Sequence, residues 1–579
     1  DRFVTHQVHQ MSLEARVAIA EVDADGNITV ISSHQFPFGL RKELGEIFKM
    51  PVGKIRVIAG GIGGGFGGKL DPTVEPLAIV LARRIGRPVK IHLTREEEMM
   101  AGSPRQASVI YMRTAAKRDG MLLAREALIM YEAGAYGGDS VGLAGIGLMM
   151  APGPYKWQAL KIDSLAVYTN KPNCGSYRGP GGPQPVFAGE SQVNRIAREL
   201  GLDPLEIRLR NAVEDGDLGP SGQVLTRVSL KETLRKAAER IGWDQPLPPA
   251  PPGKRRGRGL ACIWWTTTSG SACAYVKVNE DGTVGVITGG KEIGTGAMTA
   301  GVAQIVAEEM GVEMEDVIIA SDDTDSVPYD FGAQGSRTTF MVGNAAIRAA
   351  QDAKSQLFAL AAEKLGADPG DLECSGKAVR VKGDPSRSTP LADLAKQAQA
   401  TVGPILGRGC YIQPPTQYDT ASVQGSTYPA YNSPSFHTHA AEVEVDEGTG
   451  EVKVIRYVVA QDVGFAINPA YVEGQMIGGA VQGLGYALQE EMVYERGRLL
   501  NGNFTDYKLP TIMDVPAIET VIVEIPSEHG PYGAKGVGEP PTILPGAVIA
   551  EAVGSALGVR FHRLPITVER VLDALENKG

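Results

Sequence analysis

Four glycine-rich stretches that carry polar or charged side chains are the part of this sequence best suited to hold a large polar ligand. They occupy residues 63–69, 176–184, 289–296 and 536–541. Because glycine has no Cβ, backbone amides in such loops can approach a polar or anionic ligand closely. Arg178, Gln184 and Glu539 stand within these stretches. The pattern predicts a large cofactor that main-chain donors hold from several directions.

Three polar side chains are of types that could take part in a reaction. Glu539 lies in a stiff glycine–proline turn, where it could act as a general base if burial raises its pKa. Arg178 could bind phosphate or an anionic substrate, and Gln35 could donate a hydrogen bond to an oxo ligand. Each also has a structural interpretation, as a solvated glutamate, an ion-paired arginine and a turn residue. Taken singly, the residues leave both interpretations open.

The first glycine-rich loop matches two nucleotide-binding patterns in letters but not in context. Residues 63–68 fit Gly-x-Gly-x-x-Gly, and residues 63–69 nearly fit the Walker A loop. Walker A needs Ser or Thr after its lysine, where this chain has Leu70. A dinucleotide-binding fold needs a strand that ends in an acidic residue, but residues 73–85 are predicted to be helical. A nucleotide-binding ATPase or dehydrogenase is therefore disfavoured, and we keep it only as an alternative.

Composition argues against several classes of protein and partner. A net charge of −10 over 579 residues argues against a nucleic-acid partner. The most apolar run, residues 141–150, is too short to span a membrane. The five cysteines are scattered, which fits a reducing, cytoplasmic compartment and excludes a zinc or iron–sulfur site on this chain. His437 and His439 lack a carboxylate or Cys at ligand spacing, so we interpret them as structural. Because the chain begins with Asp1, removal of an upstream segment stays open.

The elements that must position these loops predict an α+β fold. Residues 16–33 and 272–288 each predict a hairpin around Asp-Gly, followed by a helical segment and a further strand. A proline- and arginine-rich segment, residues 246–258, has the composition of a stiff, solvated linker. We therefore expect two related multi-strand α/β domains, residues 1–245 and 259–579, with the cofactor in the cleft between them.

Helices are predicted in several further segments. Helical spacing of apolar residues, or alanine-rich composition, predicts helices at residues 190–200, 230–241, 344–365, 472–488 and 545–557. Pro545 at the start of the last segment is typical of a helix N-terminus.

In this order the motifs resemble the molybdenum-cofactor-binding large subunit of the xanthine dehydrogenase and aldehyde oxidase family, the molybdenum hydroxylases. The resemblance covers essentially all 579 residues. Its motifs are Ser33-His34-Gln35, Gly64-Gly65-Phe66-Gly67-Gly68-Lys69, Tyr177-Arg178-Gly179-x-Gly181-Gly182-Pro183-Gln184, Gly294-x-Gly296, Gln334-Gly335-Ser336-Arg337-Thr338-Thr339 with Gly343-Asn344-Ala345, Asp462-Val463-Gly464 with Asn468-Pro469, Gly474-Gln475-x-x-Gly478-Gly479-x-x-Gln482-Gly483-Leu484-Gly485, and Lys535-Gly536-Val537-Gly538-Glu539-Pro540-Pro541.

The resemblance implies a molybdopterin cofactor in its cytosine dinucleotide form, with molybdenum held by the pterin dithiolene and by no side chain. It implies that Gln35 and the amides of Phe66 and Gly67 face the metal. Further cofactor-binding residues implied by the same motifs are Gly65, Ser176, Tyr177, Arg178, Thr295, Gly296, Ser336, Arg337, Thr338, Thr339, Gln475 and Gly538. Thr295 stands where many relatives have glutamine, so the hydrogen bond expected there stays open.

The resemblance also implies the reaction and the partners. Glu539 would be the catalytic base, with Gln35 and Arg178 beside it, in a hydroxylation whose oxygen comes from water. Electrons would leave through [2Fe-2S] and FAD centres on an iron–sulfur small subunit and an FAD-binding medium subunit, assembled as a dimer of heteromers. Family large subunits begin with a further α/β domain, which we expect on a separate chain or removed.

Departures from the family pattern narrow the expected substrate. Purine-oxidising relatives have glutamate at the position of Leu70 and phenylalanine at that of Pro180, so a purine substrate is disfavoured. Carbon monoxide dehydrogenases have cysteine at the position of Gly179, so carbon monoxide is also disfavoured. Trp264 and Trp265 fall where relatives line the substrate funnel, although two core tryptophans are an equal alternative. The prediction is a molybdenum hydroxylase that acts on an aldehyde or an N-heteroaromatic ring. A non-catalytic scaffold paralogue is the remaining alternative.

Overall fold

The computed structural model describes residues 1–426 and 428–577 and has the α+β fold expected from the sequence. The strands, in chain order, are β1 Arg2–Thr5, β2 Val17–Val22, β3 Ile28–Ser32, β4 Ile55–Ile58, β5 Val89–His92, β6 Ser108–Ala116, β7 Leu122–Gly134, β8 Ala159–Tyr168, β9 Lys254–Trp265, β10 Ser271–Val278, β11 Val284–Thr288, β12 Val317–Ala320, β13 Leu372–Ser375, β14 Ala378–Val381, β15 Asp384–Pro390, β16 Leu406–Ile412, β17 Ser435–Asp446, β18 Val452–Asp462, β19 Tyr494–Glu495, β20 Arg498–Leu499 and β21 Ile518–Val523.

The helices include all the segments predicted from periodicity. They are α1 Pro37–Phe48, α2 Glu75–Ile85, α3 Arg95–Ala101, α4 Ser140–Met150, α5 Pro183–Leu200, α6 Pro204–Asn211, α7 Leu230–Ile241, α8 Ala303–Met310, α9 Thr338–Leu365, α10 Leu391–Thr401, α11 Pro469–Leu488, α12 Pro545–Leu557 and α13 Val568–Glu576. Helices α5 and α12 begin at proline and end at a left-handed glycine, the residues that favour a helix start and a helix end.

The predicted internal repeat is confirmed by two sheets of the same topology. One has the strand order β4-β3-β2-β5 and the other β12-β11-β10-β16. In each, a hairpin is followed by a helical segment and a strand that pairs in parallel with the second hairpin strand. Each sheet has its own apolar core against the helices that follow it.

Two larger sheets share one central core. Their strand orders are β1-β6-β7-β8 and β21-β18-β17-β9, and α5 and α12 pack between them. The buried cluster runs from Phe3 to Val571 and includes residues from both halves of the chain. The predicted division at residues 246–258 therefore does not separate two independent cores.

The predicted linker is wrong from Lys254 onward. Lys254 begins strand β9, which pairs along its whole length with β17. Arg256 and Arg258 bond to Glu444 and Glu442 of β17, at 3.0 and 2.6 Å. The basic run looks solvated in the sequence because its acidic partners are about 190 residues away.

Cysteine pairing also departs from the sequence prediction. Cys273 and Cys410 form a disulfide between β10 and β16, where the strand register places them opposite each other. They are 137 residues apart in sequence, so their spacing predicted no pair. Among the described residues, Cys174, Cys262 and Cys374 are free.

One stretch of the described chain, Pro540–Leu557, is long and apolar enough to cross a membrane by length and composition. It is 94% buried inside the protein. Its apolar composition is explained by its place in the central core, where α12 packs on β9 and β17.

Candidate active site

All four glycine-rich stretches meet at a single cavity of about 640 Å³. Residues of both sequence halves line it, including Phe66, Ser176, Thr295 and Glu539. The chain is therefore folded so that loops hundreds of residues apart face one cavity. A cavity of this volume is in the range of ligand-binding sites.

Glu539 is half-buried at the cavity wall and is held by three donors. The Ser336 hydroxyl donates to Oε2 at 2.8 Å and the Trp265 indole N–H donates to the same oxygen at 3.3 Å. The Gly179 amide lies 3.4 Å from Oε1. Burial raises the pKa of Glu539, while the bonds from Ser336, Gly179 and Trp265 act in the opposite direction. The environment is that of a carboxyl able to exchange a proton.

The loop before Glu539 is fixed through its backbone. Gln461 donates to the Val537 carbonyl at 3.0 Å, and the Gly536 amide donates to the Thr267 hydroxyl at 2.9 Å. Arg178 donates to the Gly538 carbonyl at 2.5 Å. The position of Glu539 is therefore set by several elements at once.

Arg178 connects this loop to helix α11. Its guanidinium donates to Gly538, to Gln482 Oε1 at 3.2 Å and to the Gln475 carbonyl and Oε1 at 2.8 and 3.1 Å. Four of the five N–H groups of the guanidinium are thus used inside the protein. Burial lowers the pKa of Arg178 to about 10. The geometry gives Arg178 a positioning role rather than that of a free anion clamp.

Gln35 lies behind the first glycine-rich loop, with its side-chain amide at the cavity. Its Oε1 accepts from the Gly67 amide at 3.0 Å, and Nε2 donates to the Ala333 carbonyl at 2.8 Å. A Cβ at Gly65 would lie 2.4 Å from Gln35 Oε1. Gly65 therefore makes room for Gln35, and Phe66, which has a left-handed backbone (φ 55°), lines the cavity.

The same loop does not have a phosphate-binding lysine. Lys69 is 2% exposed and its Nζ lies 2.6 Å from Glu14 Oε2. Glu14 also accepts from the Gly63 amide at 2.9 Å. Helix α2, and no strand, follows the loop. The nucleotide-binding alternative needs a lysine free to bind phosphate and a strand directly after the loop, whereas here Lys69 is paired with Glu14 and the next element is helix α2.

Thr295 and Gly296 line the cavity, but their amides are already bonded. Glu292 Oε1 accepts from the amides of Gly294, Thr295 and Gly296 at 2.8, 2.6 and 3.0 Å. The amides of both residues are therefore engaged by a carboxylate of the chain itself, and the cofactor-binding role of Thr295 and Gly296 stays a prediction.

The first turn of α9 faces the cavity with donors that the helix itself leaves unused. Thr338 and Thr339 are its first two residues and line the cavity, and no side chain caps this end. Amides at a helix N-terminus suit an anionic group such as phosphate. Arg337 contributes only backbone, because its side chain is buried in an ion pair with Asp330 at 2.7 Å.

One wall of the cavity is apolar, and only one of the two adjacent tryptophans belongs to it. Leu70, Pro180 and Trp265 line the cavity, as the sequence predicted. Trp264 does not: it is fully buried and packs against Tyr431, with ring centroids 4.2 Å apart. The substrate-pocket prediction for Trp264 is wrong, because successive strand residues point to opposite faces of the sheet.

Tyr428 and Glu490 are two of the cavity residues that sequence reasoning missed. Tyr428 lies near Asp139 and Glu539, and burial together with these charges raises its pKa. Glu490 is 2% exposed, accepts from Tyr507 at 2.9 Å, and has a pKa raised by burial to about 8. Neither belongs to a recognisable motif, so only the fold shows them.

The two histidines interpreted as structural lie in the core of β17. His437 Nε2 is 2.8 Å from the Ser435 hydroxyl, and His439 Nδ1 is 2.9 Å from the Tyr457 hydroxyl. Burial lowers the pKa of both. Within residues 1–426 and 428–577, no three His, Cys, Asp or Glu side chains are grouped to hold a metal ion.

Comparisons with known proteins agree with this geometry. The family described as molybdopterin cofactor-binding domain matches residues 1–212 and residues 236–516 in two parts. The xanthine dehydrogenase molybdenum-binding subunit of Escherichia coli O157:H7 is 34% identical over 591 residues, which cover 100% of this chain and 77% of that protein. The carbon monoxide dehydrogenase large chain of Afipia carboxidovorans is 30% identical over 593 residues, which cover 96% of this chain and 71% of that protein.

Solved structures share the whole fold. Quinoline 2-oxidoreductase from Pseudomonas putida 86 matches with a TM-score of 0.90 and 29% identity, covering 100% of this chain and 76% of that chain. The cavity, its glycine-rich loops and Glu539 are thus set in a fold common to enzymes of this kind. The chain belongs to the molybdenum hydroxylase family and is a molybdopterin-dependent large subunit of the xanthine dehydrogenase and aldehyde oxidase type.

Proposed function

We propose that this chain catalyses the oxidative hydroxylation of an uncharged aldehyde or N-heteroaromatic substrate, with Glu539 as the base. The observation that carries the proposal is a half-buried carboxyl, fixed by hydrogen bonds at the wall of the cofactor cavity and with a raised pKa. When bound, the molybdenum cofactor supplies the two-electron oxidation and the transfer of a water-derived oxygen.

The donors around the cavity fit such a cofactor. Thr338 and Thr339, at the uncapped start of α9, would hold its phosphates, and Gln475 would contact the pterin. Gln35, whose Nε2 retains one N–H after its bond to Ala333, would face the metal with the Phe66 amide. We propose the cytosine dinucleotide form of the cofactor, whose length the extended set of glycine-rich loops would accommodate.

Glu539 would take up a proton during the reaction and return it to solvent afterwards. A carboxyl whose pKa is raised toward neutrality is a more effective base than an exposed glutamate. Arg178 would keep the loop of Glu539 at a fixed distance from α11 through its bonds to Gly538 and Gln475. Such fixed placement is a large part of the rate that an enzyme provides.

The charges of the cavity support an uncharged substrate. Its three basic side chains are already engaged: Arg178 with carbonyl groups, Arg337 with Asp330 and Lys535 with Asp462. The remaining charged groups are two carboxyls, and the wall near Glu539 includes Leu143, Ile146 and Pro180. A substrate carboxylate would find no free counter-ion there, and its desolvation would go uncompensated.

Electrons would leave this chain through partner subunits. The five scattered cysteines do not form an iron–sulfur motif, which supports [2Fe-2S] and FAD centres on other chains. Relatives are named as a molybdenum-binding subunit and a large chain, which describe parts of larger assemblies. We propose an iron–sulfur subunit, an FAD subunit and a dimer of such heteromers.

The test is turnover of the complex purified with its partner subunits, assayed with an artificial dye acceptor. Neutral aldehydes and quinoline-type rings should reduce the dye, whereas matched compounds that carry a carboxylate should react at least ten-fold more slowly. Molybdenum should be present at about one atom per chain. A complex that contains molybdenum but oxidises none of these compounds would support the scaffold alternative. A protein with bound nucleotide and no molybdenum would overturn the proposal.

A further inference from the structure

The two oxygens of the Glu539 carboxyl have unequal surroundings. Oε2 accepts from the Ser336 hydroxyl at 2.8 Å and from the Trp265 indole at 3.3 Å. Oε1 accepts from the Gly179 amide at 3.4 Å, a contact about as long as that of Trp265, so the difference between the two oxygens comes mainly from the short Ser336 bond to Oε2. Donors reduce the basicity of the oxygen that accepts them, so Oε1 keeps the more basic lone pairs.

We propose that Ser336 and Trp265 are positioning residues that fix Oε2 of Glu539 and leave Oε1 as the atom that takes up the proton. This assignment rests on the proposed function, in which Glu539 is the base. It gives both residues a role that differs from the sequence prediction, where Ser336 was a cofactor ligand and Trp265 a substrate wall.

Ser336 makes two hydrogen bonds to Glu539. Its hydroxyl accepts from the Glu539 amide at 3.1 Å and donates to Oε2 at 2.8 Å. Ser336 has a left-handed backbone, with φ 58°. The next residue, Arg337, is anchored by its ion pair with Asp330 and by the Ser269 and Ser271 carbonyls. The segment is therefore held rigidly, so the serine hydroxyl is placed before any ligand binds.

Trp265 places its indole N–H from a second, independent element. It is the last residue of β9 and pairs with Ser435 at the start of β17. The side chain is 2% exposed, and its only polar atom donates to Glu539. Trp264, one residue earlier, is fully buried on the other face of the strand, where it packs against Tyr431 and does not reach Glu539. The two indoles thus form a matched pair, one bonded to the base and one not.

The first test measures the pH dependence of kcat/KM. Both donors stabilise the charged carboxylate, so removal of either raises the pKa of Glu539. The acid limb is the low-pH side of the kcat/KM profile, where activity falls as Glu539 becomes protonated. In Trp265→Phe and Ser336→Ala, this limb should move up by about one pH unit, and kcat near neutral pH should fall about ten-fold. Trp264→Phe removes no bond to Glu539 and should keep the wild-type limb. Ser336→Asn, which tolerates a left-handed backbone and retains a donor, should recover part of the shift.

Molybdenum content is measured for every variant, because loss of cofactor would lower kcat without moving the limb. Unchanged limbs in both Trp265→Phe and Ser336→Ala, with normal molybdenum content, would overturn the positioning role. If Glu539→Gln retains turnover, the proposed function itself fails, whatever the limbs do. The two failures are therefore distinguishable.

A second test needs no turnover. The chain has four tryptophans, so ¹⁵N-labelled indoles give four N–H signals. The signal lost in Trp265→Phe should shift with pH as Glu539 ionises, because its N–H donates to that carboxyl. In Glu539→Gln the same signal should not titrate, and the Trp264 signal should stay constant throughout. A Trp265 signal that is indifferent to pH and to Glu539→Gln would contradict the hydrogen bond.

Discussion

Lys535 and Asp462 form a buried ion pair, with Nζ and Oδ2 2.7 Å apart, and Lys535 lies four residues before Glu539 in the same loop. Their side chains are 1% and 0% exposed. Asp462 also accepts from the Ser229 hydroxyl at 2.6 Å, and Lys535 donates to the Arg227 carbonyl at 3.0 Å. The pair connects the catalytic loop to β18 and to the start of α7.

Removal of one member of this pair should destabilise the protein strongly. Lys535→Met leaves Asp462 buried without its cation, and we expect a loss of about 3–5 kcal/mol in the free energy of unfolding. Chemical denaturation monitored by circular dichroism measures it. Lys156→Met, which breaks partly exposed pairs with Glu214 and Asp217, should cost about 1 kcal/mol or less. Equal losses in the two variants would contradict the interpretation.

Activity should depend on pH through the raised pKa of Glu539. The base accepts a proton only when it is ionised, so kcat/KM should fall as the pH drops through that pKa. Because burial raises the pKa, the fall should begin at a higher pH than for an exposed glutamate, whose pKa is about 4.3. Steady-state kinetics at saturating dye acceptor over a pH series would show it. A profile that is flat down to about pH 5 would contradict this prediction.

The first glycine-rich loop should tolerate no side chain at Gly67. Its backbone is left-handed, with φ 93°, and a Cβ would lie 2.8 Å from the Ser176 carbonyl oxygen. Gly67→Ala should therefore move the loop and reduce molybdenum content more than ten-fold, as elemental analysis would measure. Gly86→Ala is the control, because Gly86 is also left-handed but has no atom within 4 Å of the added Cβ. Full molybdenum content in Gly67→Ala would contradict the prediction.

Arg178 should not be replaceable by lysine. Lysine keeps the charge but cannot reach Gly538, Gln475 and Gln482 at once, because it lacks the planar fork of the guanidinium. We expect Arg178→Lys to lower kcat/KM about 100-fold through displacement of the Glu539 loop. Arg198→Lys, at a partly exposed pair with Glu551, should change kcat/KM less than two-fold. Comparable activity of Arg178→Lys and wild type would show that the Glu539 loop does not need the hydrogen bonds of the Arg178 guanidinium.

Sequence alone determined much of the secondary structure and the identity of the loops. The helices at residues 230–241 and 545–557 were predicted with the bounds that α7 and α12 have. The repeated hairpin, helix and strand were also predicted, and both copies form sheets of one topology. These features follow from local periodicity and turn chemistry, which short stretches of chain contain in full.

Tertiary structure alone decided which groups are free to act. Arg178 and Thr295 looked like free ligand-binding residues, but Gly538 and Glu292 engage them. Trp264 and Trp265 were indistinguishable in the sequence, yet only Trp265 reaches Glu539. The physical reason is that a hydrogen bond depends on distance in space, and partners such as Ser336 and Glu539 lie 203 residues apart along the chain.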